Sequence, residues 1–168
     1  MIPLTLRRFL EEHRVPYRII SHPRSVTALE TAAAAHVSGK RFAKPVLLRG
    51  LDGARFVLAV LPADELIDLE RLGDALGFPV ALATEEEWFR LFPDCEPGAA
   101  PPFGTMVEIP VIADAHLALA QWIAMPGGTH SELIELAWKD FQRIARPTII
   151  DYGRPRPGLR AEESLWPA

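Results

Sequence analysis

Two stretches of this chain have the residue types and spacing of a chemical site. Lys44 opens an apolar run, Ala43-Lys44-Pro45-Val46-Leu47-Leu48, and well downstream comes a breaker-rich turn, Gly98-Ala99-Ala100-Pro101-Pro102-Phe103-Gly104. A cation beside Val46, Leu47 and Leu48 is costly to desolvate. It either marks a strand end with its head in water or serves a site that needs a fixed positive charge. The turn is small and stiff, so what it offers is backbone polar groups rather than reactive side chains. Together the two stretches point to a pocket. Lys40, Arg41, Lys44, Arg49 and Arg55 stand against Asp52 alone in that region. This is either a basic surface around Lys44 or ordinary solvated charge beside a strand.

Other chemistries find little support. His13, His22, His36, His116 and His130 are scattered without a paired spacing, so no metal site is expected. The chain has no Gly-x-Ser-x-Gly elbow, no phosphate loop and no dinucleotide fingerprint, and no cofactor is expected. His130, Ser131 and Glu132 are sequence neighbours, which rarely face one another as a triad must. The single cysteine, Cys95, excludes an internal disulfide. It lies between Asp94 and Glu96, which favour the protonated thiol, and reads as incidental.

The elements that must position these residues follow from periodicity. Leu6, Phe9, Leu10 and His13 recur at helical spacing, and Tyr17 to Ile20 reads as a short strand. Thr27-Ala28-Leu29-Glu30 has capping-box spacing and opens an alanine-rich helix ending before Gly39. Pro45 to Arg49 and Arg55 to Leu61 form a hairpin about Gly50-Leu51-Asp52-Gly53. Leu66, Leu69, Leu72 and Leu76 read as a helix stopped by Gly77, Pro79 to Leu82 as a strand, and Thr84 to Glu87 as a second capping box. Pro93 to Gly104 is a loop within one domain. Met106 to Ile112 and Gln121 to Met125 read as strands, Gly127-Gly128 as a turn, and Trp138, Phe141, Ile144 and Ala145 as a last helix. Trp88, Phe89, Trp122, Trp138 and Phe141 read as core.

The 168 residues, 49% hydrophobic and 24% charged, fit one compact domain with a sizeable core. The element order indicates an α+β (mixed α/β) fold. The domain is expected over residues 1–150, followed by an extended or disordered tail over 151–168, where Trp166 lies. A net charge of -4 argues against a protein that coats nucleic acid. With no bilayer-length apolar run and no signal segment, a cytoplasmic protein is expected.

The chain resembles the YbaK/prolyl-tRNA synthetase-associated domain family, free-standing aminoacyl-tRNA deacylases related to a synthetase editing insertion. The resemblance runs from about Leu6 to Ala145. It is carried by His22-Pro23 with Ser25-Val26-Thr27-Ala28, by Ala43-Lys44 leading into a strand, by Val57 to Pro62, by Leu66 to Leu69, by Gly98 to Pro102 extended through Gly104, and by Gly127-Gly128 before Ile134-Glu135-Leu136.

What the resemblance implies is a central, largely antiparallel, barrel-like sheet surrounded by helices, and metal-independent hydrolysis of the ester joining a small misattached amino acid to tRNA. Lys44 would orient the aminoacyl-adenosine end, and Gly98 and Pro102 would end a loop whose backbone places water and scissile carbonyl. His22, Thr27, Phe103, Gly104, Gly128 and His130 are candidate substrate contacts. The partners implied are the acceptor end of aminoacyl-tRNA and, in some settings, a synthetase, but neither DNA nor a membrane. Pro45 departs from the family pattern, which usually has a small hydroxyl residue or asparagine there. It removes a backbone donor and bears on pocket geometry and specificity. The competing readings are a non-catalytic aminoacyl- or nucleotide-binding module that docks on tRNA or a synthetase, and a scaffold whose tail recruits a partner.

Overall fold

The computed structural model describes residues 1–157. In chain order its elements are α1 (Leu4–Glu12), β1 (Arg18–Ser21), α2 (Ala28–Ala34), β2 (Ala43–Gly50), β3 (Phe56–Pro62), β4 (Glu65–Ile67), α3 (Leu69–Leu76), β5 (Val80–Leu82), α4 (Glu85–Leu91), β6 (Val111–Asp114), β7 (Trp122–Thr129), β8 (Glu132–Ala137), α5 (Trp138–Ala145), β9 (Thr148–Ile150) and β10 (Gly153–Pro155). Both capping boxes form: the Thr27 hydroxyl accepts from Glu30 N–H and the Thr84 hydroxyl from Glu87 N–H, with each glutamate returning the bond.

Three sheets result, ordered β5-β2-β3-β6-β9, β1-β8-β7 and β10-β4. The pairings are largely antiparallel. Among the named strands of the described residues, only β3 with β6 and β6 with β9 run parallel. The first two sheets meet where Phe42 bridges Ala124, so the arrangement is two joined sheets rather than one closed barrel.

The sequence Phe56-Val57-Leu58-Ala59-Val60-Leu61 is apolar throughout because both faces of β3 are covered. Leu58 and Val60 face the main core with Leu6, Leu10, Phe141 and Ile144 of α1 and α5. Val57, Ala59 and Leu61 face a second core with Leu72 of α3 and Tyr152. A third, smaller core beneath α2 holds Ala32, Val37, Phe42, Ala124 and Leu133.

Several local expectations are corrected. Leu66 belongs to β4, and α3 begins only after Asp68, whose carboxylate caps Arg71 N–H. Met106 lies in a 3-10 turn, Gly104–Met106, and the strand begins at Val111. Gly127 and Gly128 lie inside β7 at an irregular register, and the turn is at His130 and Ser131. Trp122 and Phe89 are exposed rather than core. The expected tail from residue 151 is also revised at its start: Tyr152 is fully buried, and Gly153–Pro155 pairs with β4. Trp166 and the rest of 158–168 lie outside the described residues.

Tyr152 explains how β2 accommodates Pro45. The Tyr152 hydroxyl takes Val60 N–H at 2.9 Å and lies 2.9 Å from Val60 O and 2.7 Å from Ile112 O. Val60 therefore directs both backbone groups away from its cross-strand partner Pro45. The proline nitrogen faces the opposite edge of β2, where the ladder needs no donor.

Candidate active site

The N-terminal end of β2, the start of α2, the β7–β8 hairpin and the Gly98 loop enclose a cavity of about 200 Å3. Phe42, Lys44 and Pro45 form one wall, and Val26, Ala28 and Thr31 a second. Pro126, Thr129, His130 and Leu133 form a third, and Gly98 and Ala99 close it. Lys44 and the Gly98 loop, far apart in sequence, thus face one space.

The loop is held rigidly. Glu96 N–H donates to Gly128 O at 2.8 Å, and Gly128 N–H donates to Ala99 O at 2.9 Å. The Glu96 carboxylate accepts His130 N–H at 2.9 Å and pairs with Arg24 at 3.2 Å. The His130 N–H holds that carboxyl below its ordinary range. His130 Nε2 lies 2.6 Å from Pro97 O. The Gly98 N–H takes part in none of these bonds, and Gly98 lines the cavity. Gly98 has φ +81, a conformation that glycine adopts without cost. A Cβ there would meet only His130 Cε1, at 3.6 Å. Gly98→Ala should therefore cost about 1 kcal/mol through the backbone alone. We expect a loss of turnover greater than the small drop in melting temperature accounts for; unchanged turnover would remove Gly98 from the site.

The other anticipated residues divide. Thr27 caps α2 from an exposed position outside the cavity lining. His22 is buried behind the wall, its N–H donating to Ser131 O. His22 Nδ1 lies 2.8 Å from Pro23 O and 3.5 Å from Ser25 Oγ, which in turn lies 2.9 Å from Oγ1 of the cavity-lining Thr31. Gly128 supports the loop: its φ is +95, and a side chain would collide with the Pro3 ring. Pro102, Phe103 and Gly104 are buried away from the cavity. The Phe103 ring packs 5.2 Å from Phe9 and 5.8 Å from Phe141, and a Cβ on Gly104 would press on Ile109 O. None of these three is among the residues lining the cavity, where they were expected to touch substrate. Sequence reading missed Thr31, Thr129 and Glu96. Thr31 was discoverable, standing one turn after the Thr27 cap on the buried side of α2.

Lys44 donates to the Glu65 main-chain carbonyl at 2.6 Å. Burial, then the Arg156 charge, lowers its pKa, with the Asp64 and Glu65 carboxylates acting the other way. The Glu65 side chain meets two residues distant in sequence: His116 Nδ1 lies 2.9 Å from Glu65 Oε1 and 3.0 Å from Asp114 Oδ2. These three could hold an ion by their geometry alone. The scattered histidines gave no hint of the grouping. The Cys95 thiol is pushed up to about 11 by burial, then by Asp94.

Burial, then the Asp114 carboxylate, pushes Glu65 up to about 7. A folded pKa above the unfolded value means the folded state holds the extra proton. Glu65 therefore adds stability that is fully present below about pH 4.5 and is lost as the pH rises through 7. His116 has the same sign: burial lowers its pKa, but Glu65 and Asp114 outweigh it and raise it. Denaturation from pH 4.5 to 8 should show wild-type stability falling relative to Glu65→Gln, by at most about 3 kcal/mol. Parallel curves for the two proteins would refute this.

Comparison with known proteins places the chain in a family. Residues 22–144 match the family model described as an aminoacyl-tRNA editing domain. The multifunctional Ser/Thr-tRNA deacylase ProXp-y of Escherichia coli (strain K12) is 33% identical over 100 residues, 58% of this chain and 59% of that protein. The chain thus matches about three-fifths of the length of that curated relative. A solved structure described as a candidate trans-editing enzyme for prolyl tRNA synthetase superposes with a TM-score of 0.77 at 23% identity, covering 92% of this chain and 99% of its own. Another, of a protein described as hypothetical, gives 0.79 at 20% identity over 89% and 99%. Those two likenesses establish the fold. With the family model spanning well over half of the sequence, the chain belongs to the aminoacyl-tRNA editing domain family.

Proposed function

We propose that this protein is a trans-editing aminoacyl-tRNA deacylase that hydrolyses the ester of a small misattached amino acid. The observation that carries the reading is the convergence of Lys44, the pinned Gly98 loop and His130 on a cavity of about 200 Å3. The substrate's amino-acid side chain enters the cavity, and Lys44 orients the esterified terminal adenosine at the acceptor end. Water attacks the ester carbonyl carbon. The ribose oxygen then leaves and takes a proton originating from that water, releasing amino acid and intact tRNA. An aminoacyl ester is already activated, so positioning plus fixed dipoles toward the developing oxyanion supply much of the acceleration. Lys44 and the Gly98 N–H are the groups available for that role.

Cavity size sets selectivity. A synthetase pocket separates neighbouring apolar side chains by only about 1–3 kcal/mol per methylene, so a second, smaller pocket that excludes the cognate acid is useful. The hydroxyl-bearing Thr31 and Thr129 line this one, which suits serine and threonine as well as alanine. A deacylase of this kind works in the cytoplasm beside the synthetases, one of which is a natural partner. Among the described residues no helix is long and apolar enough to cross a membrane.

The test is single-turnover hydrolysis of seryl-, threonyl-, alanyl- and cysteinyl-tRNA. At least one ester should be lost much faster than in buffer. Folded protein that binds these tRNAs and hydrolyses none would replace the enzyme with a binding module.

A further inference from the structure

The sheet face that walls the Lys44 cavity continues into a second concavity. Alternate residues share a face of the β1-β8-β7 sheet. The pair Pro126 and Leu133 at the cavity is followed on that face by Ala124 and Glu135 with Arg18, and then by Trp122. There lies an open groove of about 470 Å3 formed by Pro16, Tyr17, Arg18, Arg41, Trp122 and Glu135. Trp122 and Pro126 are separated along β7 by roughly 13 Å at strand rise. The small core of Phe42, Ala124 and Leu133 lies between groove and cavity, so the two are fixed relative to each other.

The groove is not an ordinary sheet surface. Trp122 leaves 50% of its surface in solvent, although Ile123 to Gly128 behind it are all buried. Tyr17 adds a second aromatic side chain. Arg18 and Arg41 converge on one carboxylate, Glu135, at 2.6 and 2.8 Å, so one positive charge is in excess. Arg41 is largely buried, and its Nε has no hydrogen-bond partner among the described residues. An exposed indole face favours stacking with a base, and the exposed Arg18 guanidinium, which shares the single Glu135 carboxylate with Arg41, favours phosphate oxygens. Their combination is the recognition chemistry of single-stranded nucleic acid.

We propose that this groove binds the single-stranded 3′ end of tRNA, stacking one base on Trp122 while the amino acid esterified to the terminal nucleoside enters the Lys44 cavity. The proposal rests on the deacylase reading. The offset of roughly 13 Å is covered by about four nucleotides stacked at 3.4 Å each, and by fewer when they are splayed. That is the reach of the short single-stranded end beyond the acceptor helix.

The test uses the full chain and two probes: a 5′-labelled single-stranded RNA ending in CCA, and the paired substrates seryl-tRNA and seryl-adenosine. Trp122→Ala should weaken RNA binding about ten-fold or more, and Trp122→Phe, which keeps a stacking ring, by much less. Arg18→Gln should reduce the slope of log affinity against log salt by about 0.7. In Trp122→Ala the KM for seryl-tRNA should rise about ten-fold relative to that for seryl-adenosine. In the wild type, the Trp122 indole NMR signal should shift on RNA titration, a readout that needs no variant. Unchanged RNA affinity in Trp122→Ala, an indole signal that stays put, or an unchanged KM ratio would overturn the groove while leaving a hydrolysing protein a deacylase. If wild-type protein hydrolyses none of seryl-, threonyl-, alanyl- and cysteinyl-tRNA, the deacylase reading fails, and RNA affinity and the indole signal still decide the groove. Dimerisation or a protein ligand through Trp122 without RNA binding would likewise overturn it.

Discussion

Replacing Lys44 with alanine is expected to slow single-turnover hydrolysis of a mischarged tRNA by about 10²-fold or more, the range seen when one preorganised oxyanion donor is removed. The ammonium is fixed before substrate arrives: β2 delivers it to the cavity wall, and the Glu65 carbonyl holds it at 2.6 Å. A cation placed in advance, in a space mostly shielded from water, costs no reorganisation when negative charge develops on the ester oxygen. The substitution should spare the fold, since the side chain is only half-buried and water can solvate the Glu65 carbonyl. Lys44→Met, which keeps the stem, separates lost charge from lost packing and should be nearly as slow. Because burial, then Arg156, lowers the lysine pKa, the wild-type rate should fall on the alkaline side at a pH below the ordinary lysine range. A rate within about three-fold of wild type in Lys44→Met would remove the charge from the mechanism.

Asp114→Ala is expected to be the most destabilising single change outside the cavity, by about 3–5 kcal/mol. Asp114 is fully buried. Its Oδ1 accepts Tyr152 N–H at 2.9 Å and Gly153 N–H at 2.8 Å, and its Oδ2 accepts His116 N–H at 3.0 Å. Alanine would leave three backbone donors without partners, the two at Tyr152 and Gly153 buried, and each such group costs about 1–3 kcal/mol. It would also free His116 Nδ1 from one of its two carboxylates. For a chain of this length that corresponds to a fall in melting temperature of roughly 10 °C or more. Asp114→Asn keeps one acceptor oxygen and should recover part of the loss. The consequence reaches the cavity. Gly153 pairs with Ile67 of β4, and the Glu65 carbonyl in that strand holds Lys44. Turnover should therefore fall in Asp114→Ala below what the folded fraction explains. Denaturant unfolding with a loss under about 1 kcal/mol would contradict the clasp.

What was legible in the sequence was local. The hairpin about Gly50 to Gly53 and the two capping boxes depend on residues within a few positions of one another, and all three appear where their patterns place them. The same holds for the breakers that keep Pro93 to Phe103 out of any regular element. Lys44 stood out because a cation among apolar strand residues conflicts with its neighbours. Gly98 stood out because several breakers in succession conflict with any helix or strand. The face a residue presents was harder to read. Trp122 carries an apolar side chain in an apolar strand, yet half of its surface is exposed, so burial there is a property of what packs above it. Phe103 and Gly104 adjoin the Gly98 loop in sequence but turn into the core between Phe9, Phe141 and Ile109.

The sequence by itself determined the Gly50 hairpin, the capped helices, the α+β class, the family, and the two stretches from which the cavity is built, because each rests on short-range pattern and order. The tertiary structure alone decided that Tyr152 is core, that β9 adds parallel to β6, that Glu65, Asp114 and His116 meet, and that aromatic and guanidinium groups share a groove. None of those leaves a periodic trace. They depend on strand register between segments tens of residues apart, where a one-residue slip would turn every side chain to the opposite face.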